Sequence, residues 1–149
     1  MKTREKPINE MHVKLPSLSV NEGTARLAVS AFCAQANPSA VELADIKCAV
    51  SEAVTNCIVH AYRDTVGYIS IRALIFTGGK IRIEISDKGC GIEDVRRARE
   101  PLFTTDAEGE RSGMGFTVME SFMDKVRVSS RPSKGTRVTL IKQLDGAWR

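Results

Sequence analysis

The length and composition of the chain exclude several classes of protein. Of its 149 residues, 42% are hydrophobic and 27% are charged, as is typical of one soluble globular domain. No apolar run approaches the roughly 20 residues of a membrane span, and the opening segment MKTREKPINE lacks the apolar part of a signal peptide. We therefore expect a cytoplasmic protein that binds no membrane. The net charge of +4 is scattered without aromatic–basic patterning, which favours a nucleotide or an acidic protein surface over nucleic acid as partner.

Two predicted elements open the chain. Residues 11–18 partly alternate between apolar and polar side chains and predict a strand, with Pro16 indicating an edge position or an early end. Ser19-x-x-Glu22 has the form of a capping box and predicts a helix to about residue 36. Its expected apolar stripe comprises Ala25, Leu27, Ala28, Ala31 and Phe32.

A longer helix and a hairpin follow. Ser39-x-x-Glu42 is a second capping box and predicts a helix to about residue 62 with a continuous apolar stripe. Residues 67–86 contain two alternating β-rich runs joined across Thr77-Gly78-Gly79, which predicts a hairpin. Residues 93–112 are charged and aperiodic, as in a mobile loop or lid, and after them we expect one helix and two strands.

The order β-α-α-β-β-lid-α-β-β predicts a two-layer α/β (α+β) sandwich, with a mixed, mainly antiparallel sheet covered on one face by helices. We expect a disordered leader at 1–8 and one domain at 9–149. The cysteines, Cys33, Cys48, Cys57 and Cys90, form no C-x-x-C pair, which favours reduced thiols over a zinc site or disulfides. All except Cys90 fall in apolar helical patterns, and packing is the favoured interpretation for each of the four.

Two short motifs carry candidate chemistry. Glu52 and Asn56 are four residues apart on the long predicted helix, so they project from one face, where the amide oxygen suits Mg²⁺ and the carboxylate could accept a hydroxyl proton. Asp87-x-Gly89-x-Gly91 follows a strand directly, and its carboxylate could bind the amine of adenine. Taken alone, the first motif also fits a solvated helix face, and the second a simple strand-to-loop turn.

A third motif begins the next predicted helix. Gly113-Met114-Gly115 follows Arg111, so free backbone N–H groups and a cation could receive phosphates there. A flexible loop that leads into a helix is the alternative for this motif alone. Chance occurrence of all these motifs in this order is improbable.

These motifs resemble the N, G1 and G2 boxes of the GHKL ATPase superfamily, whose domain is the Bergerat fold. The segments SEAVTN, PLFTT, ERSGMGF and VMESFMD are most similar to the bacterial anti-sigma-factor serine kinases, above all to the branch of the sporulation anti-sigma F factors. The resemblance extends over nearly the whole chain from about residue 9.

The resemblance implies specific roles. Glu52 would be the general base for a substrate serine, and Asn56 would hold the Mg²⁺ that bridges the ATP phosphates. Asp87 would select adenine, and the remaining nucleotide-binding positions would be Gly89, Gly91, Thr104, Thr105, Arg111, Gly113, Gly115 and Thr136. Arg26 would contact protein partners.

The resemblance also implies a switch between partners. An anti-sigma kinase of this kind sequesters a sigma-F-type factor while ATP is bound and phosphorylates an anti-anti-sigma protein on serine, and the family is homodimeric. Three alternatives stay open at this point: the catalytic half of a histidine kinase, a nucleotide-gated binding module without kinase activity, and a general-stress anti-sigma kinase. Neither His12 nor His60 suits a phosphoacceptor, and Glu52 argues against a pure binding module.

Overall fold

A computed structural model describes residues 4–63, 65–92, 94–100 and 115–146. Within these ranges the chain forms five strands and four α-helices. The strands are β1 (Asn9–Pro16), β2 (Tyr68–Phe76), β3 (Lys80–Asp87), β4 (Lys125–Arg131) and β5 (Gly135–Gln143). The helices are α1 (Asn21–Cys33), α2 (Ala40–Asn56), α3 (Val95–Ala98) and α4 (Gly115–Phe122).

The five strands form one sheet in the order β1-β2-β3-β5-β4, and every pairing among the described strands is antiparallel. The predicted two-layer sandwich is thereby confirmed. β2 and β3 form the predicted hairpin, whereas β3 lies next to β5 and not next to β4. This arrangement pairs Asp87, the last residue of β3, with Thr136 near the start of β5.

The core lies between the sheet and the helices. Alternate residues of β3, namely Ile81, Ile83 and Ile85, are fully buried, and they join a cluster that includes Ile46 and Val50 of α2. Burial of an isoleucine side chain contributes roughly 1.5–3 kcal/mol, so the alternating pattern determines which sheet face the helices cover. Across the part of the chain that the structure describes, no helix has the length and apolar content of a membrane span.

The capping box predicted for α2 is confirmed. Ser39 Oγ accepts a hydrogen bond from the Glu42 amide at 3.1 Å, and the Glu42 carboxylate accepts one from the Ser39 amide at 2.9 Å. Two of the amides that lack partners at a helix start are thereby satisfied. The α-helical segment ends at Asn56, and Cys57–Ala61 continue it as one π-helical turn.

The capping box predicted for α1 is wrong. This helix begins at Asn21, and no side chain caps its first turn. Glu22 instead turns toward α2, where its carboxylate accepts a hydrogen bond from Ser51 Oγ and lies 3.5 Å from a guanidinium nitrogen of Arg26. The motif fails because a contact between helices competes for the same carboxylate.

The apolar stripe predicted for α1 is also partly wrong. Leu27 is 63% exposed and Ala31 is exposed, whereas Val29 and Cys33 are buried. The buried face of α1 is therefore rotated around the helix axis relative to the predicted stripe. Cys48 of α2 is exposed as well, which corrects the expectation that it packs in the core.

Part of the predicted leader contacts the sheet. The Ile8 amide donates a hydrogen bond to the Ile75 carbonyl at 2.8 Å, and Glu5 pairs with Lys80. The first contact extends the pairing of β1 with β2 toward the N-terminus, and the second joins this segment to the start of β3. The division at 1–8 and 9–149 stays a prediction.

The two serines of the predicted capping boxes make a matched pair for mutation. Ser39→Ala removes the side-chain cap of α2 and should lower the free energy of unfolding by about 1 kcal/mol in urea titrations. Ser19→Ala removes no cap from α1 and should stay within about 0.5 kcal/mol of the wild type. Equal losses in the two variants would contradict the assignment.

Candidate functional site

The start of α4 lies against the polar face of α2. A Cβ atom at Gly115 would lie 3.2 Å from Asn56 Oδ1, 3.3 Å from Asn56 Nδ2 and 3.5 Å from Glu52 Oε2. Glu52 and Asn56 are both half-buried. Glu52 and Asn56 of α2 are therefore brought together with Gly115 of α4, although the two helices are far apart in the chain.

The groups at this point have complementary chemistry. A carboxylate and an amide oxygen are ligands or proton acceptors, and the first turn of a helix offers unpaired N–H groups and a partial positive charge to an anion. A glycine at the first position of α4 keeps side-chain atoms out of the space beside Asn56. The arrangement suits a phosphate group with its counter-ion.

Asp87 forms the second part of the site, at the end of β3. Its Oδ1 accepts a hydrogen bond from the Gly89 amide at 2.9 Å, and its Oδ2 accepts one from Cys57 Sγ at 3.4 Å. The Thr136 amide is a further donor. Burial nevertheless raises the pKa of Asp87, because partial removal from water disfavours its charge more than these donors stabilise it. Such a carboxylate gains from one more donor, such as a ligand amine.

Cys57 is the residue that joins the two parts. It directly follows Asn56 and opens the π-helical turn, and it is 4% exposed. Burial, together with the nearby charge of Asp87, raises the pKa of the Cys57 thiol well above its usual range. The thiol therefore keeps its proton and donates a hydrogen bond to the carboxylate.

The π-helical turn also holds the loop that follows β3. The Cys90 amide donates to the Ala61 carbonyl at 3.1 Å, and Cys90 Sγ lies 3.2 Å from the His60 carbonyl oxygen. Carbonyls at the end of a helix need such partners. Cys90 is itself exposed, so the expectation that it packs in the interior is wrong.

The two glycines of this loop are required by protein packing. A Cβ atom at Gly89 would lie 2.3 Å from the Ala61 carbonyl oxygen, and one at Gly91 would lie 2.0 Å from the Arg131 carbonyl oxygen. Gly91 also has a φ of +75°, which other residues rarely adopt. A close approach to a nucleotide is not needed to explain either glycine.

Sequence reasoning missed Tyr62, which ties the same loop to β2. Its hydroxyl donates to the Tyr68 carbonyl at 2.9 Å and accepts from the Lys88 amide at 2.7 Å. Gly67 lies against its ring, where a Cβ atom would approach to 2.2 Å. A tyrosine at the end of a predicted helix gives no local signal for such a role, because both partners lie on other elements.

Ser130 of β4 was missed for the same reason. Its hydroxyl accepts from the Ile92 amide at 2.8 Å and donates to the Gly135 carbonyl at 3.0 Å. It also lies 2.7 Å from Thr136 Oγ1. Since Ser130 has one hydroxyl proton and gives it to Gly135, Thr136 is the donor in this last bond. The loop is thus fastened to β4 and β5.

The structure brings the described site residues together in two clusters, with Arg26 on a third element. Glu52, Asn56 and Gly115 lie together, and Asp87, Gly89, Gly91 and Thr136 lie together at the adjoining strand ends. Arg26 is on α1, where it pairs with Glu22, whose carboxylate also accepts a hydrogen bond from Ser51, the residue before Glu52. Thr104, Thr105, Arg111 and Gly113, and most of the predicted lid at 93–112, lie outside the described residues.

The raised pKa of Asp87 predicts a pH-dependent contribution to stability. Between the ordinary aspartate pKa of 3.8 and the raised value, the folded protein holds a proton that the unfolded chain has released, so stability falls as the pH rises through this window. Asp87→Asn removes the titrating carboxyl group and, with it, this pH dependence. Urea titrations give the free energy of unfolding of the wild type and of the variant at each pH. The wild-type value minus the variant value should decrease from acidic toward neutral pH. A difference that does not change with pH would contradict the argument that burial raises the pKa of Asp87.

The chain is similar to known proteins over most of its length. The profile of the "Histidine kinase-like ATPase domain" family matches residues 15–142. A protein of Caldanaerobacter subterraneus subsp. tengcongensis, named "Anti-sigma F factor", is 57% identical over 136 residues, which cover 91% of this chain and 94% of the relative. The predicted relationship to the anti-sigma F factors is confirmed.

Solved structures share the fold. The structure of the RsbU and RsbW domains of a Mycobacterium tuberculosis protein superposes with a TM-score of 0.67 at 22% identity, over 93% of this chain and 32% of that one. The catalytic domain of histidine kinase ThkA superposes with a TM-score of 0.58 at 16% identity, over 93% of this chain and 99% of that domain. At these identities the likeness shows the fold alone.

Proposed function

The chain belongs to the family of histidine kinase-like ATPase domains, with anti-sigma F factors among its relatives, and from that premise we propose that it is an ATP- and Mg²⁺-dependent protein serine kinase. It transfers the γ-phosphoryl group of ATP to a serine of a partner protein. The observation that carries this proposal is the convergence of Glu52 and Asn56 on the start of α4 at Gly115. This point offers a base, an oxygen ligand and an anion-binding helix end together.

Asp87 recognises the adenine of ATP in this proposal. Its carboxylate is partly desolvated, and of its roughly four acceptor sites the donors Gly89, Cys57 and Thr136 use three, which leaves capacity for one more. An exocyclic amine can donate to such a lone pair and relieve the cost of burial. Gly89, Gly91 and Thr136 form the surrounding backbone, which keeps the carboxylate at the end of β3.

Asn56 fits a Mg²⁺ ion that is bound mainly by phosphates. Among the described residues, no group of three or more His, Cys, Asp or Glu side chains is arranged to hold a metal. Mg²⁺ in nucleotide sites takes few protein ligands and completes its shell with phosphate and water oxygens, so one amide oxygen is sufficient. When bound, the ion would neutralise charge on the phosphates.

Glu52 accepts the proton of the substrate serine as the serine oxygen attacks the γ-phosphorus. The proton passes to the Glu52 carboxylate, and ADP leaves as the bond from its β-phosphate oxygen to the γ-phosphorus breaks. Positioning and charge neutralisation supply most of the catalysis in such transfers, and a base aids the attacking oxygen. The proposal is supported by the half-buried position of this carboxylate, one helical turn before Asn56.

The remaining proposed roles follow the family resemblance. Thr104 and Thr105 belong to the ATP lid, and Arg111 and Gly113 meet the phosphates. The partners are a sigma-F-type factor, which the protein sequesters, and an anti-anti-sigma protein that carries the substrate serine. The protein is proposed to be a cytoplasmic homodimer. Arg26 is proposed for partner contacts, and its side chain is 43% exposed on α1.

Replacement of the base tests the transfer step. Glu52→Gln keeps the shape of the side chain but cannot accept a proton, so labelling of a partner serine from γ-labelled ATP should fall roughly 10²- to 10⁴-fold while ATP binding persists. The assay contains Mg²⁺ and a purified anti-anti-sigma protein. The control is Glu10→Gln, an equivalent change at an exposed residue of β1, which should label like the wild type. Absence of labelling by the wild type despite tight ATP binding would favour a nucleotide-gated binding module.

Replacement of Asp87 tests the binding step separately. Asp87→Asn introduces an amide in place of the charged acceptor and should weaken ATP binding roughly 10- to 100-fold in calorimetric titrations. The same titrations on Glu52→Gln should give nearly wild-type affinity. Equal ATP affinity in the wild type and Asp87→Asn would contradict the adenine assignment.

A further inference from the structure

The hydrogen bond between Cys57 and Asp87 has a consequence for nucleotide selection. We propose that Cys57 is a positioning residue, whose thiol sets the orientation of the Asp87 carboxylate that recognises the 6-amino group of adenine. The thiol thereby increases the preference for ATP over nucleotides that lack this amine. This inference rests on the proposed role of Asp87 as the adenine acceptor.

The two oxygens of Asp87 are held by different elements. The Gly89 amide, from the loop after β3, binds Oδ1 at 2.9 Å, whereas Cys57 Sγ, from the end of the long helix, binds Oδ2 at 3.4 Å. The Thr136 amide of β5 is a further donor. The terminal torsion of an aspartate is soft, so each donor that is lost leaves the carboxylate plane freer to rotate. Cys57 is the donor that restrains Oδ2 from the side of the helix.

Cys57 is well placed to hold the carboxylate still. It is 4% exposed, and it belongs to a helix whose buried face packs on the sheet. The side chain is short, so its sulfur moves little relative to the helix axis. A thiol is a weak donor, which orients the carboxylate yet leaves lone-pair capacity for a stronger donor from a ligand.

The alternative explanation is that Cys57 only fills space in the core, as buried cysteines often do. The two explanations differ in what they predict for substitution. A space-filling residue affects all nucleotides equally through stability. A residue that orients Asp87 affects only the part of the affinity that comes from the 6-amino group.

The experiment compares two ligands in four proteins. Calorimetric dissociation constants are measured with Mg²⁺ for ATP and for purine riboside triphosphate, which lacks the 6-amino group. The proteins are the wild type, Cys57→Ala, Cys57→Ser and Cys48→Ala. Cys48 is an exposed thiol of the same helix, so its removal is the matched control.

We expect the preference of the wild type for ATP to fall roughly two- to tenfold in Cys57→Ala, the range of one modest hydrogen bond. Cys57→Ser retains a donor and should keep most of the preference, and Cys48→Ala should keep all of it. Thermal unfolding of each protein separates this effect from a loss of stability. Should Cys57→Ala not fold, Cys57→Val, which fills the space without a donor, takes its place.

Two outcomes would overturn the inference. A wild type that prefers ATP, together with a Cys57→Ala variant (or Cys57→Val in its place) that shows the same preference, would reduce Cys57 to packing while leaving the role of Asp87 intact. A wild type that binds both nucleotides equally would remove the adenine role of Asp87, and this inference with it. The two failures are thereby distinguishable.

An infrared measurement provides a readout that packing would not change. The S–H stretching band of Cys57, identified as the band absent from Cys57→Ser, should shift when ATP binds, because the amine draws electron density from the shared carboxylate. Purine riboside triphosphate should leave the band in place. Identical band positions with both nucleotides would contradict the coupling.

Discussion

The contact between the C-terminal end of α2 and the loop after β3 is the constraint on which the rest of the site depends. The Ala61 carbonyl accepts the Cys90 amide, and it lies where only a glycine fits at position 89. Asp87 lies just before this loop and accepts a hydrogen bond from Cys57, which belongs to the same helix end. A shift of the helix would therefore disturb the loop and the carboxylate together.

This constraint links the carboxylate and amide of Glu52 and Asn56 to the buried carboxylate of Asp87 through one helix. Glu52 and Asn56 lie on the last α-helical turns, beside the start of α4, and Cys57 continues directly toward Asp87. The helix is held in place by its buried stripe and by the capping box at its start. Packing that is distant from the site thus contributes to its geometry, because a helix transmits position along its length far better than a loop does.

Comparison of the two capping boxes shows what local patterns can and cannot predict. Ser39 and Glu42 form the predicted box although the Asp145 amide also donates to Glu42, because that bond uses Oε2 and leaves Oε1 for the Ser39 amide. Ser19 and Glu22 match the same pattern, yet Glu22 bonds to Ser51 on the neighbouring helix. The pattern is equally good in both places. Another part of the chain contacts each glutamate, and only the geometry of that contact decides whether the cap forms.

The sequence by itself determined the order of the elements, the hairpin, the buried stripe of α2 and the family, because these depend on short-range spacing and side-chain periodicity. It also determined that Glu52 and Asn56 share a helix face, since this follows from a separation of four residues. The tertiary structure decided which groups meet from distant parts of the chain: Gly115 with Asn56, Cys57 with Asp87, and the loop glycines with backbone carbonyls. Such contacts depend on how helices and strands pack as bodies, and no local pattern of residues specifies that packing.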